Sequence, residues 1–257
     1  MKGVAQASGF TIVETMIVLA VTGMIFLSAA ILINGKEAKV QFTTAIQNIQ
    51  SQIQQTIGEV QSGFYPNNSN FTCLANTPNI SIGSGSAKQG TNSDCIFLGK
   101  AMQFGPSTPG DTPEPVRVYS IAGNRKSGTS EVSTLAQASP TVIPPSTQNI
   151  PLRYGLTAVS VKVTPASVCS GSNRSAVIAF LSSLAPIDSA SGNLLSGSQN
   201  VDVYPVCGTN IGDGDETTLI NRNLRSSTPL GTLAPPGGVA VCFASGTTKQ
   251  SGLITVG

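Results

Sequence analysis

The sequence predicts an α+β fold: one long N-terminal helix packed against an antiparallel β-sheet. Three observations predict it. An apolar run fills residues 10–33. From Phe42 to Phe64 an apolar side chain recurs every three or four positions. Beyond Tyr65 that period gives way to short apolar runs separated by Gly, Ser, Pro and Asn clusters. A helix followed by strands satisfies its apolar stripe by laying the sheet against it.

The run from Phe10 to Ile33 is 24 residues long. At 1.5 Å per residue it spans about 36 Å, enough to cross a bilayer. It contains one charge, Glu14, near its start, and Lys36, Glu37 and Lys39 follow its end. A short polar leader, residues 1–9 (MKGVAQASG), precedes it. An ordinary secretory signal places a small-residue cleavage site after its apolar core. Here the small residue, Gly9, comes before it, so cleavage after Gly9 leaves the helix on the mature chain. A plain single-pass anchor accounts for the hydrophobicity. It does not account for Glu14, because a carboxylate in a bilayer is costly and marks a pairing.

The helix is expected to continue past the membrane. Phe42, Ile46, Ile49, Ile53, Ile57 or Val60, and Phe64 form one stripe among Gln, Asn, Thr and Ser, the pattern of an amphipathic helix. It should end near Gly63, ahead of Tyr65-Pro66-Asn67. The chain therefore divides into a leader (1–9), an apolar half-helix (10–33), an amphipathic half-helix (34–62) and a β-rich head (63–257). Strands are expected at Cys95–Leu98, Val116–Ile121, Leu156–Val163, Ala176–Leu181, Val201–Val206, Val239–Ala244 and Leu253–Val256. Alternation as in Val159-Ser160-Val161-Lys162-Val163 marks a half-buried strand. Thr217–Leu224 reads as a short helix. Residues 66–94 and 123–149 read as surface excursions. The last 23 residues read as strand, polar turn, strand.

Composition narrows the function. Charged residues are 10% of the chain, with 14 Lys+Arg against 12 Asp+Glu. The arginines are scattered, so no basic stripe points to nucleic acid. Histidine is absent, which removes a Ser-His-Asp triad and the commonest metal ligand. No enzyme is expected. Five cysteines, at 73, 95, 169, 207 and 242, form no CxxC pair, so disulfides in an exported domain are expected over zinc. Cys73 with Cys95 is the favoured pair, across a Gly/Ser-rich loop. Cys169 with Cys207 and Cys207 with Cys242 both stay open, and the odd count leaves at least one free thiol. The acidic cluster Asp213, Asp215 and Glu216 is turn chemistry first and a weak calcium candidate second.

The segment GFTIVETMIVLAVTGMIFL, from Gly9 to Leu27, closely resembles the prepilin signature of type IV pilins and type II secretion pseudopilins. The resemblance covers roughly residues 2–34. It implies that a membrane peptidase cuts after Gly9 and that the new N-terminal residue, Phe10, is N-methylated. It also implies that Glu14 pairs with the Phe10 amine of a neighbouring subunit. An α-amine is mostly protonated at neutral pH, and pairing relieves both charges in a low dielectric. Gly23 stands where many pilins carry a helix glycine. Ile31 stands where many major pilins carry proline, a departure that leans toward a minor pilin or pseudopilin.

By that resemblance the chain is a bacterial structural subunit. It sits as a single-pass protein in the cytoplasmic membrane with its N-terminus inside, then joins a surface filament. Implied partners are other pilin subunits, the prepilin peptidase/methyltransferase, the assembly platform protein and its ATPase. No cofactor is expected apart from the weak calcium candidate. The alternatives are a membrane-tethered extracellular binding module and a DNA-uptake competence pilin.

Overall fold

A computed structural model of the 257-residue chain describes residues 11–63, 71–76, 79–84, 95–104, 115–127, 129–164, 176–182, 184, 201–206, 220–221, 224–225, 238–245 and 250–256. In chain order these form α1 (Ile12–Gln61), β1 (Phe71–Asn76), β2 (Asn79–Ser84), β3 (Cys95–Phe104), β4 (Val116–Asn124), β5 (Lys126–Ser127) and β6 (Ser130–Glu131). Then come α2 (Leu135–Ala138), β7 (Thr141–Ile150), β8 (Leu156–Thr164), β9 (Ala176–Ser182), β10 (Val201–Val206), β11 (Gly238–Ser245) and β12 (Ser251–Val256). All strand pairings are antiparallel among the described residues. The α+β layout is as expected.

The helix is a single 50-residue element. Thr11 caps its start, its hydroxyl accepting the Glu14 N–H at 3.3 Å. Thr11 with Glu14 three places on is the sequence pattern of a capping box. Gly63, at φ 65°, follows the C-terminal end, the left-handed position glycine occupies without steric cost.

Two sheets grip the outer half of α1. The larger runs β10-β9-β3-β4-β7 and the smaller β12-β11-β8. Ala45, Ile49, Ile53 and Val60 of α1 are buried against both. Met102 and Phe104 of β3, Ile178 and Phe180 of β9, and Val241 and Phe243 of β11 fill the space between. Phe104 and Phe243 meet edge to face, with ring centroids 6.1 Å apart, a favoured aromatic geometry that ties one sheet to the other.

The larger sheet is buried on its second face as well. Leu98, Tyr119, Ile121, Val177, Leu181 and Val206 form a second core there. Residues 220–221 and 224–225 are helical, and Ile220 and Leu224 are buried in that core. Those two positions are one helical turn apart, which agrees with a short helix in this region. Asn221 Oδ1 accepts the Val142 N–H of β7 at 2.7 Å.

The seven expected strands are all present, several of them longer. Two expectations are corrected. Residues 141–150 are a strand of the main sheet, with Pro144 and Pro145 inside it, where a surface excursion was expected. β7 is an edge strand, and its two prolines fall where the ladder with β4 breaks register, between Ile143 and Gln148, so no ladder bond is asked of them. Residues 71–76 and 79–84 form a hairpin within the other expected excursion. β3 runs on past Leu98 to Phe104. A bulge lies between Phe97 and Gly99, and a Cβ on Gly99 would stand 2.0 Å from the Phe180 carbonyl oxygen. Only glycine allows β9 to approach that closely.

Candidate functional site

The site is built from one helix with two chemically distinct halves. From Thr11 to Ile31 every side chain is exposed. Large apolar groups point outward on all sides, among them Met16 at 67% and Phe26 at 75% exposure. A helix apolar all round is stable only when something apolar surrounds it. Here that something is outside the chain. The helix is long and apolar enough to cross a membrane.

Glu14 sits in the first turn of this half. Its backbone is engaged by the Thr11 cap, and a carboxylate there also meets the positive end of the helix dipole favourably. The side chain stays exposed. Thr15, Thr22 and Ser28 each return their hydroxyls to carbonyls of the preceding turn at 2.8 Å. Their polarity is thereby satisfied inside the helix, which leaves Glu14 as the one charge between Thr11 and Ile31.

The second half is bolted to the head by an ion pair. Lys100 Nζ of β3 donates to Glu59 Oε2 of α1. Gln55 Nε2 donates to the other carboxylate oxygen at 3.0 Å. The Lys100 side chain is only 2% exposed and that of Glu59 22%. This pair fixes the register of α1 on the sheet. In the sequence its one signal is a lysine set between apolar Leu98 and Met102.

Two grooves flank the outer half of α1. One, of about 350 Å³, lies between α1 and β12 and is lined by Ile46, Ile53, Ile57, Leu253 and Val256. Gln50 and Gln54 also border it, and no charged side chain does. The other, of about 70 Å³, lies between Thr44 and Asn48 of α1 and the Pro151–Tyr154 segment. There Tyr154 and Gly155 have φ of 57° and 65°, and the Leu156 N–H donates to the Arg153 carbonyl at 3.2 Å. Two successive left-handed residues make this a mirror-image turn that favours Asn and Gly. A tyrosine there is strained.

Among the described residues, one acidic group is perturbed. Burial raises the Asp202 carboxyl on β10 above its ordinary value. The Tyr204 phenol is raised by burial and then by the charge of Asp202. Neither residue lines either groove.

Of the other residues singled out in the sequence, Cys95 is disulfide-bonded. Its partner lies outside the described side chains. Cys73 is on β1, opposite Ile82, and β1 lies against β3. Cys242, on β11, is free. Gly9, Phe10, Cys169, Cys207, Asp213, Asp215 and Glu216 lie outside the described residues. Among the described residues, no group of three or more His, Cys, Asp or Glu side chains is placed to hold a metal ion.

Comparison of the chain with protein-family models, with curated proteins and with solved structures finds no match.

Proposed function

We propose that this chain is a structural subunit of a type IV pilin-like filament, held in a membrane by α1 until it polymerises through that helix. One observation carries the reading. The first 20 residues of α1 are exposed and apolar on every side, with a single carboxylate at their start. A simple anchor needs the apolar surface but not the acid. A polymerising helix uses both, exchanging lipid for the helices of neighbouring copies while Glu14 finds a cation.

The rest of the reading follows from the resemblance of residues 2–34 to the prepilin signature. Residues 1–9 are removed by the prepilin peptidase, and Phe10 becomes the methylated N-terminus whose amine meets Glu14 of another copy. The chain passes from the cytoplasmic membrane to a surface filament, driven by the platform protein and ATPase. The α1-plus-sheet arrangement is compatible with a pilin-like head, in which the gripped half of the helix carries the head and the free half forms the filament core. A head spanning residues 63–257 is large for a bulk subunit and favours a minor pilin or minor pseudopilin.

Glu14→Gln tests this. The variant should be processed and inserted normally, yet appear in sheared filaments at less than a tenth of the parental amount. Filaments carrying the variant at parental abundance would contradict the role of the carboxylate.

A further inference from the structure

We infer that Cys95 is bonded to Cys73, and that this disulfide pins the β1–β2 hairpin onto the main sheet. The pairing needs the head to be exported but not to join a filament.

The register of the hairpin puts position 73 on the right face. Residues directly opposite each other in an antiparallel pair share a face, as do residues two apart in one strand. Cys73 lies opposite Ile82 and Ala75 opposite Ile80, so positions 73, 75, 80 and 82 share one face. Ser81 and Gly83 belong to the other face and are exposed. Ile80 is 5% exposed, in a small core with Ala122 of β4 and Ile143 of β7, and Cys95 packs against that same core. The face that carries position 73 is therefore the one turned to Cys95. β1 also comes within 8 Å of β3 between Cα atoms, and a disulfide spans Cα separations of about 4.4–6.8 Å.

The other cysteines are held elsewhere. Cys242 is free. Cys95 opens β3. Cys207 is joined to Val206, which is level with Gln103 near the far end of that strand through their common partner Val177. Eight residues of strand separate Gln103 from Cys95, roughly 26 Å at 3.3 Å per residue. One further residue carries the chain only about 3.8 Å. Cys169 stands seven residues before Ala176, which is paired with Phe104 at the same far end. A run of that length reaches at most ~25 Å, against ~30 Å from Phe104 back to Cys95. That pairing would demand a chain stretched straight along the sheet.

Closing the bond is a two-electron oxidation. The two thiols lose two protons and two electrons to a disulfide oxidant, which leaves as its dithiol, and one S–S bond forms. Such oxidants act outside the cytosol, where the proposed export takes the head. The consequence of the bond follows from how little else holds the hairpin. A two-stranded hairpin is marginal alone, and of its described side chains Ile80 alone is buried. The disulfide ties β1 to β3 and closes residues 73–95 into a loop, which removes freedom from the detached state.

The pairing can be read directly, because trypsin leaves every cysteine on its own peptide. Cys73 falls on 40–88, Cys95 on 89–100, Cys169 on 163–174, Cys207 on 175–222 and Cys242 on 226–249. The full chain is extracted from the membrane, treated with N-ethylmaleimide in denaturant, digested without reductant and mapped by mass spectrometry. A linked species of 40–88 with 89–100 is expected, lost on reduction. Peptide 89–100 linked to any other cysteine peptide, or carrying N-ethylmaleimide, would overturn the pairing and leave the filament reading standing. A second readout tests the pinning. In the Cys73→Ser, Cys95→Ser double variant, amide exchange across β2 should quicken roughly tenfold or more while β9 exchanges as in the parent. Unchanged exchange across β2, or an equal rise in β9, would overturn the pinning role.

Discussion

Removing Glu59 should cost far more stability than removing Lys100, although the two form one ion pair. The asymmetry follows from burial. Lys100 has 2% of its side chain exposed and Glu59 has 22%. In Glu59→Ala the ammonium stays on β3, facing α1, with its acidic partner gone. Stranding a buried charge in this way costs about 3–5 kcal/mol. In Lys100→Met the carboxylate remains, but Glu59 reaches water and keeps its bond from Gln55 at 3.0 Å. The methionine fills most of the space the lysine stem occupied. That change should cost ~1 kcal/mol or less, since isosteric apolar replacement of a buried pair is often near neutral. For a head of this size, 1 kcal/mol moves the midpoint by about 2–4 °C. Glu59→Ala should therefore melt roughly 6–20 °C below the parent, and Lys100→Met within about 4 °C of it. The assay is thermal unfolding of the full chain in detergent, followed by circular dichroism. Lys100→Met combined with Glu59→Leu should recover most of the loss. Equal losses in the two single variants would refute the reasoning. They would mean that the Lys100 ammonium reaches water when Glu59 is gone.

Two further outcomes follow from the same physics. Tyr154→Gly should be more stable than Tyr154→Ala by ~1 kcal/mol, because both lose the ring while only glycine relieves a left-handed backbone that penalises a side chain; equal melting midpoints would show that the turn carries no such strain. Asp202→Asn should raise stability at pH 7, and the advantage should vanish in acid. Burial raises the folded carboxyl above its ordinary 3.8, so the folded chain holds that proton more readily than the unfolded one. The stabilising contribution is fully present below pH 3.8 and is lost as pH rises through the folded value. Melting curves of parent and variant at neutral pH and below 3.8 should therefore diverge and then converge; a constant gap across that range would count against it.

Much of the fold was legible because period and turn chemistry agree along most of the chain. The stripe from Phe42 to Ile57 lies on or beside the core as its spacing requires. The strict alternation of β11, buried at every second residue from Val239 to Ser245, is visible in the sequence as Val-Ala-Val-Cys-Phe-Ala. What escaped did so for identifiable reasons. β7 hid behind two prolines and a run of polar residues, which an edge position and a break of register between Ile143 and Gln148 make tolerable. β3 runs past its expected end at Leu98, through Gly99 and Lys100, to Phe104. The glycine is demanded by the close pass of Phe180, and the lysine is neutralised by a residue 41 positions earlier. No local pattern reveals a partner at that separation. The same holds for the site. The apolar half-helix and Glu14 are local and were readable. The two grooves arise only when β12 and the Pro151–Tyr154 segment are brought to the flanks of α1.

The central claim concerns what happens to the N-terminus. The measurement that tests it most directly is the intact mass and N-terminal residue of the membrane-extracted chain, from cells with and without prepilin peptidase. The account predicts a chain beginning at methylated Phe10 only when the peptidase is present. A chain that keeps Met1 in both, or one cut after the apolar run, would contradict it and make this an ordinary anchored or secreted domain.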